Sequence, residues 1–188
     1  MKNKLAIFDM DGTLFDTKAA IYVAYKKAAI LNSKNFDVSE EFFYQNCFGK
    51  SYKKFLRQYT DWNKQIIEAV HDTKIKIYPD ILKESSRINI SLFDILRGLK
   101  ASYWIALVTS ASKASTFDML DYYSCRKDFD LILTGEDVLK QKPDAEGFLK
   151  AMQHFSIAAS ETLIFEDSDE CINSAKKIHA NAYKVESF

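Results

Sequence analysis

Hydrophobic positions along this chain fall into two rhythms that divide it. Short apolar runs of strand character recur at residues 5–8, 104–108, 131–133, 163–165 and 182–185. Helical patterns lie between the later runs, and this alternation predicts βαβ units on a parallel sheet. Between the first run and the second, residues 17–89 carry helical patterns and no convincing strand. The first helix there is expected over 18–31. Ser39, followed by Glu40 and Glu41, predicts an N-cap and an acidic first turn opening a second helix toward Cys47. Further helices are expected over 50–57, 63–74 and 79–86. The expected organisation is an α/β core over residues 1–16 and 90–188, interrupted by a helical insertion over 17–89. An insertion that leaves at the carboxyl edge of the first strand is expected to lie over the crevice there and to act as a lid.

Composition narrows the setting. With 188 residues, 47% of them apolar and 14% aromatic, the chain can bury a good core and is not disordered. Lys plus Arg equals Asp plus Glu at 26 each, so no global field favours nucleic acid or an anionic membrane, and a charged ligand must be held locally. Cys47, Cys125 and Cys171 are odd in number and far apart, which predicts free thiols in a reducing, cytoplasmic compartment. The basic start is followed by an apolar run that Asp9 cuts short, so no signal peptide or membrane span is expected.

Candidate chemistry gathers where the apolar runs stop. Asp9-Met10-Asp11-Gly12-Thr13-Leu14-Phe15-Asp16 follows the first run directly. Acids just past a buried parallel strand project into the crevice where open α/β sheets bind ligands, so Asp9 and Asp11 are the first candidates. Gly12 removes a side chain and lets backbone N–H groups approach an anion. Thr109 and Ser110 follow the second run; either is expected as a helix N-cap, and a hydroxyl at a helix start also suits phosphate. Lys142 precedes Pro143, whose fixed φ suits the first turn of a helix running to about His154, and the acids at the strand ends are its expected partners. Glu166-Asp167-Ser168-Asp169 closes the fourth run, with more acids than a cap at Asp167 or Ser168 requires. Carboxylates from two strand ends form the hard oxygen site that Mg²⁺ prefers. A calcium loop of the EF-hand type is excluded because Leu14 stands at its obligatory glycine.

These four segments, in order and spacing, resemble the motifs of the haloacid dehalogenase-like hydrolase superfamily, and most closely the phosphatase and phosphomutase branch with a helical cap. The resemblance spans almost the whole chain. It implies a three-layer, doubly wound parallel sheet and a Mg²⁺-dependent hydrolase of a small phosphorylated metabolite. Asp9 would be the nucleophile and Asp11 the general acid and base. Asp9, the Asp11 carbonyl, Glu166 and Asp167 would hold the metal, while Gly12, Thr109, Ser110 and Lys142 would bind the phosphoryl group. Four carboxylates against a dication and one lysine leave a negative excess, which predicts a proton on Asp11. No nucleic acid or membrane partner is expected, and the chain is expected to be a monomer or weak homo-oligomer.

The departures from the family pattern bear on substrate rather than reaction. Cys171 and His179 stand where the family has glycines and are expected to be packing changes. A phosphomutase is the nearest rival, but its cap arginine is replaced by Tyr52 and its histidine after the first motif by Ala20. A dehalogenase has no use for Asp11 or a metal. A phosphorylated signalling module carries its phosphorylated Asp after the paired acids, the reverse of the order here. A non-catalytic phosphate-binding protein would not need every catalytic position filled. The aromatic residues Phe42, Phe43, Tyr44, Phe48, Tyr52, Phe55, Tyr59 and Trp62 are expected to form mainly the core of the insertion, with a substrate pocket as the alternative.

Overall fold

The structure is a computed structural model that describes residues 2–186. From the amino end, β1 (Lys4–Phe8) and β2 (Phe15–Asp16) precede four helices, α1 (Lys18–Leu31), α2 (Glu40–Asn46), α3 (Tyr52–Tyr59) and α4 (Lys64–Ser85). The chain then runs through β3 (Arg87–Ile88), α5 (Ile90–Leu99), β4 (Tyr103–Val108), α6 (Lys113–Tyr122), β5 (Leu131–Leu133), α7 (Glu146–Phe155), β6 (Thr162–Glu166), α8 (Asp169–Lys177) and β7 (Asn181–Lys184). Two compact units result: Met1–Asp16 with Ile88–Phe188, and Thr17–Arg87.

The first unit is an α/β layer structure on a five-stranded sheet in the order β5-β4-β1-β6-β7, with every neighbouring pair parallel. This is the fold class expected from the pattern of apolar runs. Leu5, Ile7, Ala106 and Val108 share a buried cluster with Phe148, Ala151 and Met152 of α7 and Ala175 of α8. The alternate positions Ala6, Phe8, Ile105 and Leu107 are also buried, and α5 packs against β4. Covering both faces explains why these strands read as unbroken apolar runs. Central β1 pairs with β4 on one side and β6 on the other, setting Phe8 opposite both Leu107 and Phe165. Their carboxyl ends therefore lie side by side, at the place where strand order reverses. Phe15–Asp16 and Arg87–Ile88 form a separate two-stranded ribbon.

The second unit is helical and aromatic. Tyr22, Tyr25, Phe36, Phe43, Phe55, Leu56, Trp62, Ile67 and Val70 form its core, and Tyr44, Phe48, Tyr52 and Tyr59 pack against it half-buried. Only Phe42 of the eight aromatics singled out above is exposed. Ser39 accepts from the Phe42 N–H and Asn63 from the Ile66 N–H, capping α2 and α4. One expectation fails: 63–74 and 79–86 belong to a single helix, α4, that runs through Pro79. Pro79 supplies no N–H to the Ile75 carbonyl. Val70, Lys74, Tyr78, Ile81 and Leu82 nevertheless form one buried stripe at helical spacing, and its burial outweighs the missing bond. Among the described residues no helix is long and apolar enough to cross a membrane.

Candidate active site

Asp9 directly follows β1; it is buried and donates its N–H to the Phe165 carbonyl at 3.0 Å. The next five residues turn tightly: Leu14 and Phe15 donate to the Met10 carbonyl at 3.1 and 3.0 Å. Gly12 takes φ +92°, a conformation that favours glycine. Its N–H, however, donates to the Phe15 carbonyl at 2.8 Å. Gly12 therefore contributes the shape of the turn, and its own N–H is used inside it. Asp11 is half-buried within this turn and bridges Phe15 through the backbone.

At the end of β4, Thr109 is buried and its hydroxyl accepts from the Ala111 N–H at 3.0 Å. Neither Thr109 nor Ser110 caps the following helix. Ser112 does, accepting from the Ser115 N–H. This correction leaves both residues in the loop that joins strand to helix. Among the described residues, the buried side-chain oxygens without any hydrogen-bond partner are the hydroxyls of Ser110 and Thr13. An orphaned hydroxyl costs free energy, so its retention at a strand end points to a ligand. The Ser110 loop leans on Gly135, a residue that sequence reading missed. A Cβ there would lie 2.8 Å from the Ser110 carbonyl oxygen and 2.7 Å from the Gln141 side chain, which itself holds the Gly135 carbonyl.

Lys142 is almost fully buried, with Nζ 2.6 Å from Asp9 Oδ1 and also hydrogen-bonded to Glu166 Oε1. Burial opposes its charge most strongly, but Asp9 and Glu166 together outweigh it and hold the ammonium above the ordinary lysine pKa. Burial also pushes Glu166 up, against the pull of Lys142 and with the help of Asp9. The pair is an ion pair kept dry, with more acid than base around it. Pro143 does not begin the next helix; α7 starts at Glu146, after a turn in which Asp144 accepts from the Glu146 N–H. Glu166 ends β6, half-buried Asp167 follows, and Ser168 caps α8. Asp169 points away to an ion pair with Lys184 at 2.7 Å.

Asp9, Glu166 and Asp167 each offer one carboxylate oxygen, and these lie within 4.8 Å of one another. Three hard oxygen donors on adjacent strand ends, two of them buried, suit a small divalent cation. The Asp11 carboxylate is not one of the three. Cys171 sits in the core against this cluster with its thiol pushed up to about 12, chiefly by burial. His179 adopts φ +62° at the end of α8. A family glycine there would take this conformation without strain.

Comparison with known proteins agrees with this geometry. The model of the haloacid dehalogenase-like hydrolase family matches residues 6–185. The phosphorylated carbohydrates phosphatase of Thermotoga maritima is 26% identical over 176 residues, covering 90% of this chain and 79% of the relative. The pyrophosphatase PpaX of Oceanobacillus iheyensis is 25% identical, covering 98% and 84%. Among solved structures, CbbY from Rhodobacter sphaeroides in complex with xylulose-1,5-bisphosphate superimposes with a TM-score of 0.87 at 20% identity, covering 100% of this chain and 88% of that one. A match that runs from the first strand to the last, over a sheet whose strand ends gather these acids and one lysine, makes the chain a member of the haloacid dehalogenase-like hydrolase family.

Proposed function

We propose that this hydrolase is a phosphatase of small phosphorylated metabolites, dependent on Mg²⁺ and working through an aspartyl phosphate on Asp9. The observation that carries the reading is the Lys142 ammonium held between Asp9 and Glu166, beside a strand-end loop whose Ser110 hydroxyl has no protein partner. An anion with several oxygens satisfies that hydroxyl and offsets the lysine once it turns from the acids. Relatives named for phosphorylated carbohydrates and for pyrophosphate support phosphoryl chemistry without fixing one substrate.

Asp9, Glu166, Asp167 and the Asp11 backbone carbonyl are the groups that would hold Mg²⁺, which when bound supplies positive charge toward the phosphoryl oxygens. A carboxylate oxygen of Asp9 attacks phosphorus and the ester oxygen leaves, taking a proton from Asp11. Asp11 then accepts a proton from the water that attacks the aspartyl phosphate, releasing phosphate and restoring Asp9. Thr109, Ser110, Lys142 and the backbone of the Gly12 turn position the transferring oxygens. The helical unit acts as the cap that selects the substrate. The three buried, unpaired cysteines support a reducing, cytoplasmic setting.

A panel of sugar phosphates, nucleotides and small phosphorylated acids, assayed with and without Mg²⁺, tests the reading. Phosphate release is expected to require the metal, to vanish in Asp9→Asn and to slow by about a hundredfold or more in Asp11→Asn. Release that persists in Asp9→Asn overturns the nucleophile, and isomerisation without release makes the protein a mutase.

A further inference from the structure

The turn that carries Asp11 and Gly12 must be held still for Asp11 to meet the leaving oxygen, and main-chain bonds inside it close on Met10 and Phe15. Thr13 does not fasten it through its hydroxyl, which has no partner. Asn89, 76 positions along the chain from Thr13, does. Its main-chain N–H donates to the Leu14 carbonyl at 2.9 Å, and its side-chain Nδ2 donates to the Thr13 carbonyl at 3.3 Å. The opposite end of the same amide, Oδ1, accepts from the Leu92 N–H at 3.1 Å and so caps α5. Asn89 is itself buried, and Leu92, Phe93 and Leu96 anchor α5 in the core. Phe93 also meets Phe15, the last residue of the turn, edge-on at 5.6 Å between ring centroids.

From this geometry we infer that Asn89 is a positioning residue for the reaction, clamping the Asp11–Gly12–Thr13 turn to the start of α5. The inference rests on the phosphatase reading for its kinetic consequence, but the clamp itself does not. A capping role alone would be met by Asp or Ser; only an amide also donates to Thr13 from this place. Asn89→Asp keeps an acceptor for Leu92 and sets a carboxylate oxygen against the Thr13 carbonyl. Asn89→Ser keeps the cap and loses the reach. A displacement of about 1 Å in an acid–base group is enough to slow turnover about a hundredfold.

The test measures three things on the full chain: melting temperature, kcat and KM for phosphate release, and hydrogen exchange at the amides of residues 12–15 against those of β1. Asn89→Ser is expected to melt close to the parent and Asn89→Asp lower, both staying folded at the assay temperature, and both to lose at least tenfold in kcat with KM little changed. Their turn amides are expected to exchange at least tenfold faster while β1 is unaffected. Unchanged turn exchange with unchanged kcat overturns the inference, as does a loss of activity that only follows melting. If the parent releases no phosphate from any compound, the phosphatase reading fails by itself, and the exchange experiment still decides whether Asn89 holds the turn.

Discussion

Both units bury charged and polar groups, and they do so in opposite ways. At the strand ends of the α/β unit, one lysine is shared by two acids with a third acid close by, and a nearby serine hydroxyl is left without a partner. In the helical unit the buried polar groups are matched locally. The Tyr25 hydroxyl meets His71 Nδ1 at 2.9 Å, Tyr52 stacks on the His71 ring and donates to Glu68 at 2.7 Å, and Lys74 lies 3.4 Å above the Tyr78 ring. Burial of charge is therefore not in itself a sign of chemistry. Crowding of one sign, together with an orphaned donor, distinguishes the first region from the second.

The two buried lysines offer the sharpest way to break this contrast. Lys142→Met leaves two buried carboxylates without their cation and is expected to cost about 3 kcal/mol in urea unfolding without metal, part of it regained on adding Mg²⁺. Lys74→Met keeps a flexible stem against aromatic rings and is expected to cost about 1 kcal/mol, with no response to Mg²⁺. Equal losses, both blind to the metal, would erase the distinction.

A pH series probes the matched region. Burial first, then Lys74, holds His71 down at about 4, below its ordinary 6.5. The folded state therefore binds fewer protons than the unfolded chain between these values. The resulting stability is complete above about pH 6.5 and is lost as pH falls through 4. After allowance for partial exposure, roughly 2 kcal/mol is at stake. His71→Gln is expected to flatten that part of the urea midpoint profile, and a profile as steep as the parent's would remove His71 as its source.

Gly135→Ala probes the chemical region without touching a charge. Its Cβ would press on the Ser110 carbonyl, so a loss of about 1–2 kcal/mol is expected together with at least a tenfold fall in phosphate release. Normal turnover would show that the Ser110 loop tolerates displacement. The smallest effect is expected from His179→Gly, outside both clusters. Relief of the left-handed φ should raise stability by about 0.5–1 kcal/mol and leave turnover unchanged.

The parts of the structure visible in the sequence are those written in local pattern. Strands buried on both faces give unbroken apolar runs, and α1 follows its helical period to the residue, at Lys18–Leu31. The segments bearing Asp9, Thr109, Lys142 and Glu166 were legible because each stands where such a run stops or beside a proline. Pro79 and Pro143 misled for one reason: proline states a local preference, which packing along α4 overrides and which the turn after Lys142 uses differently. The N-cap at Ser112 was missed because Thr109 and Ser110 offered hydroxyls sooner. Gly135 and Asn89 left no readable signal for their contacts with the Ser110 loop and with Thr13. Asn89 before an apolar helix announces a cap, but its bond to Thr13 exists only in three dimensions, and the same holds for the approach of Gly135 to Ser110.

The strand order has a consequence for how the chain is made. β1 leaves the ribosome well before its sheet neighbours, residues 103–108 and 162–166. The helical unit, contiguous over residues 17–87, is fully synthesised before either neighbour exists. Until then β1 is an apolar strand with two open edges, the kind of segment that aggregation and chaperones act on. Asp9 likewise waits 133 positions for Lys142 and still longer for Glu166, so no nascent chain that stops short of Glu166 carries the assembled charge cluster.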